Sequence, residues 1–330
     1  MNSTSLKAHY IKVAGVVALV GNAVLAAVKF LFAYLSGSLA VAGDAIDSST
    51  DVLIALVTLF VSRIIQQPGD KEHPWGHARA ETTATMALAF IIFFAGAQIV
   101  LSAAKKIILH DFQAETSLVA VYAAVVSIVG KSLLALIQFH YGKIAESEIV
   151  KANAQNMKSD IMLSAAVLAG LLCSEFFKLP FLDPAIALLV GLWVIKNAAS
   201  LFARMNLELM DGNADSSLYK KLFDAVATVS GVQNPHKARI RRMASSFDID
   251  LDIEVDPSLS VYEAHELSEQ VESAIRREIP EIYDIVIHVE PKNSDLHQPK
   301  EEFGLNPQNL RGIFNILLEN SIFAKNNLYP

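Results

Sequence analysis

Polar residues interrupt two long apolar stretches of this chain, at places where a lipid-buried helix should have none. Asp47 and Asp51 lie in one stretch, and Asn156 and Asp160 lie in another. Each pair is spaced i, i+4, so on a helix both side chains lie on one face, one turn apart. A carboxylate at membrane depth is unfavourable without a partner. Two such pairs on two helices supply that partner together if they bind one cation between them.

Long apolar runs fill the chain up to residue 205, whereas the part from Asp211 onward has the composition of a soluble domain. The whole sequence of 330 residues is 53% hydrophobic, above the roughly 45–50% typical of soluble domains. A hydrocarbon core of about 30 Å needs about 20 apolar residues per helix. Six runs are long enough and predict six transmembrane helices, at 10–35, 38–64, 81–103, 117–140, 156–177 and 180–203.

The distribution of Lys and Arg predicts that both termini lie in the cytoplasm, because cytoplasmic loops carry an excess of basic residues. With both termini inside, the basic residues of the inner segments are Lys7, Lys12, Arg63, Lys71, Arg79, Lys143, Lys151 and Arg204. Those of the outer segments are Lys105, Lys106 and Lys178. The N-terminus enters the first run without an A-x-A-type cleavage site, so this run is predicted to be a membrane helix and not a cleaved signal.

The C-terminal third alternates between helix and strand patterns. Helices are predicted near 216–229 and 261–278, and strands at 236–243, 247–255 and 284–290. The second strand alternates strictly between apolar and polar residues. The order α-β-β-α-β predicts a small ferredoxin-like α+β domain with its helices on one face of the sheet.

The predicted domain organisation has three parts. Residues 1–211 form the six-span transmembrane domain, residues 212–291 the cytoplasmic domain, and residues 292–330 a polar tail. A short amphipathic segment near the end of the tail is expected to dock either on the cytoplasmic domain or on the membrane surface. Its apolar residues are Leu310, Ile313, Phe314 and Leu317.

Composition and motifs argue against several other classes of protein. The formal net charge of −7 does not favour binding of nucleic acid. A lone Cys173 excludes an intrachain disulfide framework and a Cys-based zinc finger. The chain contains no nucleophile motif, phosphate loop or H-E-x-x-H sequence, so we do not expect an enzyme.

The intramembrane carboxylates point to a specific kind of chemistry. Three carboxylates cannot share a dry site while all are ionised unless a cation joins them. A divalent metal removes the repulsion, and protons remove it when the metal leaves, which is the physical basis of metal–proton antiport. The alternative is that these residues hydrogen-bond between helices or only face the bundle interior. Two i, i+4 pairs on separate helices favour the cation site.

Several motifs, in this order and spacing, resemble the cation diffusion facilitator family of divalent-metal/proton antiporters. They are GDAIDSSTD, HPWGHARAE, NMKSD and ELMDG, followed by the α-β-β-α-β region, and the resemblance covers about residues 10–291. It implies a six-helix bundle in the cell (inner) membrane that forms a homodimer through its cytoplasmic domains. Divalent metal would be the substrate, protons the counter-ion, and no organic cofactor is implied. By the same resemblance Asp47, Asp51, Asn156 and Asp160 match the family's transport site.

Asn156 is a departure from many zinc-transporting members, which have His at this position. Replacing an imidazole by an amide oxygen makes the predicted site all-oxygen. Oxygen ligands suit harder ions such as Mn²⁺, whereas imidazole suits Zn²⁺. The sequence therefore favours Mn²⁺ or Fe²⁺ over Zn²⁺. Zn²⁺ stays possible because an Asp-rich tetrahedral site also holds it, and Asp44 or water are alternatives to Asn156 as ligand.

The loop after the second run contains Asp70, His73 and His77. Two His at i, i+4 beside carboxylates suit a metal site, and the alternative is a polar loop with incidental histidines. The resemblance implies that these three residues bind a second, modulatory metal. It also implies that Arg79 pairs with Asp211 and ties the bundle to the cytoplasmic domain, where the alternative for Arg79 is the lipid head groups.

The cytoplasmic domain contains a further set of candidate ligands: His236, Asp252, His265, His288 and Glu290. The resemblance implies that these positions bind metals at the dimer interface, where some members have His in place of Asp252 and Asp in place of Glu290. Read from the residues alone, Asp248, Asp250 and Asp252 share one strand face that is solvated more often than it is metal-binding.

Lys29 and Lys131 also lie within the apolar runs. Lys29 is expected to snorkel towards the membrane surface. Lys131 is deeper, and it is expected to meet a local carbonyl or a water-filled cavity more readily than a carboxylate of the site.

The sequence as a whole predicts an exporter of divalent metal by metal/proton antiport and alternating access. The alternative function is a non-transporting, metal-sensing membrane partner or regulator.

Overall fold

The described part of the chain folds into six long helices and a small α/β domain. The computed structural model describes residues 3–65, 67, 69–112, 118–145, 147–213, 215–243, 246–292, 304–305 and 307. The six helices, each long and apolar enough to cross a membrane, are α1 (Ser3–Ser36), α2 (Leu39–Ile65), α3 (Arg79–Leu109), α4 (Leu118–Ile144), α5 (Glu148–Phe177) and α6 (Leu182–Leu209). The remaining elements are α7 (Ser216–Val226), β1 (Gln233–Met243), β2 (Ser246–Val255), α8 (Val261–Glu278) and β3 (Ile282–Pro291). The amphipathic tail segment predicted around 310–317 lies outside the described residues.

The helices extend beyond the apolar runs from which they were predicted. Helix α3 continues through Lys105 and Lys106, and α5 begins eight residues before the predicted start at Asn156. An apolar run marks only the part of a helix in hydrocarbon, and backbone hydrogen bonding continues into polar surroundings. The ends of α5 are set locally, because the Ser147 side chain accepts from the N–H of Val150 and Lys178 takes a left-handed conformation after the last turn.

The Cα positions divide into two compact units, Met1–Gln67 with Thr83–Met205 and Pro68–Thr82 with Asn206–Pro330. The first unit is the helix bundle. Helices α3 and α6 approach closely at Gly96 and Gly191, where a Cβ on either glycine would lie 3.2 Å from the other's carbonyl oxygen. In lipid no hydrophobic force drives helices together, so their association depends on close packing, which small residues at such crossings allow. This is why glycine, and not a larger residue, is found at both positions.

The start of α2, the helix that carries the first polar pair, is fixed by an acidic residue of α6. Asp183 accepts hydrogen bonds from the Ser38 hydroxyl and from the backbone N–H of Leu39, the latter at 3.2 Å. The first N–H groups of a helix have no intrahelical partner, and a carboxylate there is also favoured by the helix dipole. Asp183 therefore anchors the N-terminus of α2 within the bundle.

The second unit contains the predicted α-β-β-α-β domain, whose element order is confirmed. Its sheet has the order β1-β2-β3, with β1 antiparallel and β3 parallel to the central β2. The alternation predicted for β2 places Ile249, Leu251 and Ile253 in the core, each 0% exposed. These three pack with Leu222 of α7 and Ile275 of α8 in a single cluster, so both helices cover the same apolar core.

Two local features complete this domain. Helix α8 begins with a capping box in which Ser260 and Glu263 exchange side-chain and backbone hydrogen bonds. After β3, Leu305 forms an isolated antiparallel bridge to Ala238 on the outer strand β1. The edge of the sheet is thus paired at this point by the chain that follows the domain.

Candidate metal sites

The four residues predicted to form a transport site lie on α2 and α5, which pack together. Asp51 and Asp160 have accessible side chains, 44% and 19% exposed. Asp47 lies one turn before Asp51 and accepts at 3.4 Å from the Asn197 amide of α6. Asn156 is exposed, one turn before Asp160. Among the described residues, the carboxylates of Asp47, Asp51 and Asp160 do not all come within 4.8 Å of one another.

Lys131 of α4 joins the carboxylates of the two helices. Its Nζ lies 2.6 Å from Asp160 Oδ2 and 3.2 Å from Asp51 Oδ2, and its side chain is 0% exposed. The expectation that Lys131 meets a carbonyl or a water-filled cavity is therefore wrong. A sequence pattern shows which residues share one helix face, but it does not show which third helix lies opposite. The sequence signal for this pairing is the position of a lysine in the middle of an apolar run, where it needs an anionic partner.

A second ion pair lies deeper in the bundle. Lys29 Nζ is 2.9 Å from Asp44 Oδ2 and donates to the Ser48 hydroxyl at 2.6 Å, and Lys29 is only 1% exposed. The Ser164 hydroxyl donates to Asp44 at 2.8 Å and hydrogen-bonds with Ser127. The prediction that Lys29 snorkels is therefore wrong. Asp44 already has a cation and a hydroxyl donor, which makes it a poor substitute for Asn156 as a metal ligand.

The loop between α2 and α3 brings its three candidate ligands together. One ligand atom each of Asp70, His73 and His77 lies within 4.8 Å of the other two. The closest approaches are 3.3 Å from Asp70 Oδ1 to His73 Nδ1 and 3.5 Å from Asp70 Oδ2 to His77 Nε2. Among the residues that the structure describes, the buried Nδ1 of His77 has no hydrogen-bond partner. Two imidazoles and a carboxylate are a ligand set that suits Zn²⁺ and neighbouring transition metals.

Asp70 is also the residue that shapes this loop. Its Oδ1 accepts from the backbone N–H of His73 at 2.6 Å and from that of Glu72 at 2.9 Å. The hydrogen bond from His73 holds the pKa of the Asp70 carboxyl below its usual value. The carboxylate therefore stays ionised over a wider pH range, and because it is partly exposed it is available both to the turn and to a cation.

Residues 68–82, which comprise the loop and the first turn of α3, group with the C-terminal unit and not with the rest of the helix bundle. The Arg241 guanidinium of β1 lies 4.8 Å from the centre of the Trp75 ring, a cation–π contact. Arg79 donates to the carbonyl oxygen of Glu208 and pairs with Asp211, the partner expected from the sequence. The Trp75 contact attaches the loop to β1 of the α/β domain, and the Arg79 contacts attach the start of α3 to the end of α6 and the turn that follows it.

The α/β domain brings three of its five candidate ligands together. Ligand atoms of His236, Asp252 and Glu290 lie within 4.8 Å of one another. His236 on β1 is directly opposite Asp252 on β2, and its Nε2 is 3.4 Å from Glu290 Oε2 of β3. Lys237 also enters this cluster, with Nζ 2.9 Å from Asp252 and 3.4 Å from Glu290. The hydrogen bond to Asp252 raises the pKa of Lys237, so it stays charged.

The other two histidines lie at the surface. His265 is 64% exposed and has Glu269 at 3.8 Å, and His288 is 67% exposed and has Glu290 at 3.5 Å. Within the described part of this single chain they do not belong to the three-ligand group.

The Asp series of β2 is paired with basic residues of β1. Asp248 is 2.5 Å from Arg241 and Asp250 is 3.2 Å from Arg239. The interpretation of this series as a simply solvated face was incomplete, because each carboxylate has a cross-strand cation. Opposite charges directly across an antiparallel pair stabilise the pairing.

The sequence matches two known domain families. Residues 15–210 match the cation efflux transmembrane domain, and residues 214–292 match the cytoplasmic domain of cation efflux proteins. The chain is 31% identical over 274 residues to the manganese efflux system protein MneS of Bacillus subtilis, covering 81% of this chain and 91% of that protein. It is 28% identical over 264 residues to the cation-efflux pump FieF of Cronobacter sakazakii, covering 80% and 87%.

A plant protein is also similar to this chain. Metal tolerance protein C1 of Arabidopsis thaliana is 31% identical over 281 residues, which cover 81% of this chain and 59% of that protein. Both domain matches, the six apolar helices and these relatives agree on one assignment. This chain is a member of the cation efflux family, the cation diffusion facilitators.

Proposed function

We propose that this protein exports a divalent transition-metal cation in exchange for protons, by alternating access of one intramembrane site. The observation that supports this is the meeting of Asp51 and Asp160 from two transmembrane helices, with Asp47 one turn away. Anionic ligands on separate helices are suited to transport, since small helix movements change the access and geometry of the site. Protons replace the metal on the carboxylates when it leaves.

Mn²⁺ or Fe²⁺ is the substrate that the proposed ligand set favours, with Zn²⁺, Co²⁺ and Cd²⁺ as further candidates. Asp47, Asp51, Asn156 and Asp160 offer only oxygen atoms, which are harder donors than imidazole nitrogen. The similarity to a protein named for manganese efflux supports the same choice. The protein would work as a homodimer in the cell membrane, with both termini in the cytoplasm.

The two clusters outside the transmembrane helices are proposed to regulate transport. Asp70, His73 and His77 would bind a modulatory metal in the loop. His236, Asp252 and Glu290, with His265 and His288 completing the set at the dimer interface, would sense cytoplasmic metal. The same clusters favour the second candidate function, a metal-sensing membrane partner that does not transport. A pure sensor, however, has no use for three carboxylates within the membrane.

Asp51→Asn separates transport from sensing. The substitution keeps the size of the side chain but removes an anionic ligand, so Mn²⁺ transport should fall at least about tenfold, as even outer-shell changes do at metal sites. Proteoliposomes with an acidic lumen should accumulate external Mn²⁺ through the wild type, and an ionophore that dissipates the pH gradient should stop this. Wild-type transport that ignores the gradient would contradict antiport. A wild-type protein that dimerises normally but does not transport Mn²⁺ would favour the sensor, and an Asp51→Asn variant that transports at the wild-type rate would remove Asp51 from the site.

Asn156→His tests the choice of metal. An imidazole at this position adds a softer ligand, so the ratio of Zn²⁺ to Mn²⁺ transport should rise by about tenfold or more. Initial rates for Mn²⁺, Fe²⁺, Zn²⁺, Co²⁺ and Cd²⁺ measure the change, with Asn153→His, one turn earlier on α5, as the control. Equal ratios in wild type and Asn156→His would show that this residue does not set selectivity.

Asp70→Asn separates the two roles of Asp70, as a candidate metal ligand and as the acceptor that shapes the turn. The amide oxygen still accepts from the N–H of His73 and Glu72, but the anionic ligand is lost, so metal affinity of the loop should fall by about tenfold or more. Trp75 reports on the loop by fluorescence in a Trp193→Phe background, which leaves it as the single tryptophan. Glu72→Gln is the control with a lost charge outside the cluster. Matching Zn²⁺ titrations for Asp70→Asn and the control would remove Asp70 from the ligand set.

His265→Ala combined with His288→Ala tests metal-dependent dimerisation. Because both rings are exposed in one chain, their loss should spare the fold but remove the part of dimer affinity that depends on metal, about tenfold. Sedimentation of the full protein with and without Mn²⁺ or Zn²⁺ measures this, and His140→Ala is the control outside the α/β domain. Dimer affinities that keep the wild-type response to metal would rule out the interface site.

A further inference from the structure

Lys131 cannot be explained as a lysine that escapes to the membrane surface. It lies thirteen residues from each end of α4, which is about 20 Å of helix in either direction. Its neighbours on the same face of α4 include Ser127 and Leu134, both buried. A lysine stem is far too short to reach water along the helix from this depth. Its ammonium group must find its partners inside the bundle.

The partners that it finds are two of the proposed metal ligands. Nζ contacts one oxygen of Asp160 and one of Asp51, at 2.6 and 3.2 Å. The lysine approaches from the enclosed side, where it is 0% exposed, while the carboxylates are 19% and 44% exposed. An incoming cation would therefore reach the same two carboxylates from the opposite side.

Charge balance makes this arrangement informative. Asp44 already has its own cation, Lys29. The remaining carboxylates of Asp47, Asp51 and Asp160, together with the Lys131 ammonium, leave an excess of two negative charges, which one divalent ion neutralises. With the lysine present, the net charge of the site still matches that of one divalent ion. The lysine and the ion, however, compete for the same carboxylate oxygen atoms.

We propose that Lys131 is a built-in competitor for the metal: its ammonium group holds Asp51 and Asp160 in place of the ion, lowers the site's metal affinity, and speeds release of the ion. This rests on the proposed transport function. Lys131 is a positioning residue, since it acts through the carboxylates and would not itself bind the metal. A transporter gains from such a device because a site of three carboxylates that only binds tightly would retain its cargo.

Two substitutions at Lys131 should move metal affinity in opposite directions. Lys131→Gln removes the competing charge, so the dissociation constant for Mn²⁺ should fall about tenfold or more, and both KM and the maximal transport rate should fall. Lys131→Arg keeps the charge and adds a fork that pairs with carboxylates through two hydrogen bonds, so the dissociation constant should rise about tenfold. A merely structural lysine would give two variants that are damaged in the same direction.

The measurements are Mn²⁺ titration calorimetry and proteoliposome transport with the full-length protein, after thermal unfolding has shown that each variant is folded. Lys29→Gln is the matched control, since it also removes a buried lysine from a carboxylate, and its Mn²⁺ affinity should stay within about threefold of wild type. If Lys131→Gln does not fold, Lys131→Arg decides, and an unchanged or lower dissociation constant in that variant overturns the proposal.

Three results separate this inference from the proposed function. A folded Lys131→Gln protein with unchanged or weaker Mn²⁺ binding overturns the competitor role. An equal gain in Mn²⁺ affinity in Lys29→Gln overturns it as well, because the gain would then come from a general change in the electrostatic potential of the bundle. Asp51→Asn decides the site itself. If that variant loses Mn²⁺ binding while Lys131→Gln equals wild type, the site stands and the competitor role alone fails.

Discussion

A carboxylate inside a lipid-embedded bundle needs a cation, and the arrangement of α1, α2, α4 and α5 follows from that need. The bundle supplies the cation with lysines from neighbouring helices: Lys29 of α1 for Asp44, and Lys131 of α4 for Asp51 and Asp160. Removing one member of such a buried pair leaves an uncompensated charge, which typically costs about 3–5 kcal/mol. The two pairs therefore hold four helices in one register while the surrounding contacts are apolar and less specific.

The two pairs differ in a way that separates structure from function. Asp44 is buried and hydrogen-bonded to Ser164 as well as paired with Lys29, so its bonding capacity is largely used. Asp51 and Asp160 share one ammonium group and keep accessible surface. A fully satisfied network favours one rigid packing, whereas a partly satisfied one favours a ligand. The same residue type thus stabilises the bundle at one depth and is suited to bind a substrate at another.

The same chemistry recurs in the α/β domain under different conditions. Lys237 lies between Asp252 and Glu290, much as Lys131 lies between two carboxylates of the bundle. Here the lysine side chain is 24% exposed, so water screens the interaction and its contribution to stability is small. Arg239 and Arg241 continue the series along β1 and pair with Asp250 and Asp248. In this domain the ion pairs fix which residues face each other, while the buried Ile249, Leu251 and Ile253 supply most of the stability.

Much of the fold was predictable because it depends on local patterns. Apolar runs identified all six helices, and the alternation in β2 placed its buried residues correctly. The ends of α3 and α5 were missed because helices continue past the apolar run. The partners of Lys29 and Lys131 were missed for a different reason, since spacing along one helix says nothing about which helix lies opposite. The grouping of the loop with the α/β domain, through Trp75 and Arg241, depends likewise on contacts between distant parts of the chain.

Under the proposed function, Asn156 and Lys131 would act in the same direction on the metal affinity of the site. An amide in place of imidazole would remove the ligand that favours Zn²⁺, and the neighbouring ammonium would weaken the binding of any divalent ion. Mn²⁺ and Fe²⁺ are at the weak end of the affinity order for a given set of ligands. A site tuned only for affinity to these ions would bind Zn²⁺ more tightly still and release it slowly. A site that binds every divalent ion more weakly still attracts these ions through its three carboxylates. Such a site would release Mn²⁺ and Fe²⁺ readily and would not retain the ions that bind more tightly.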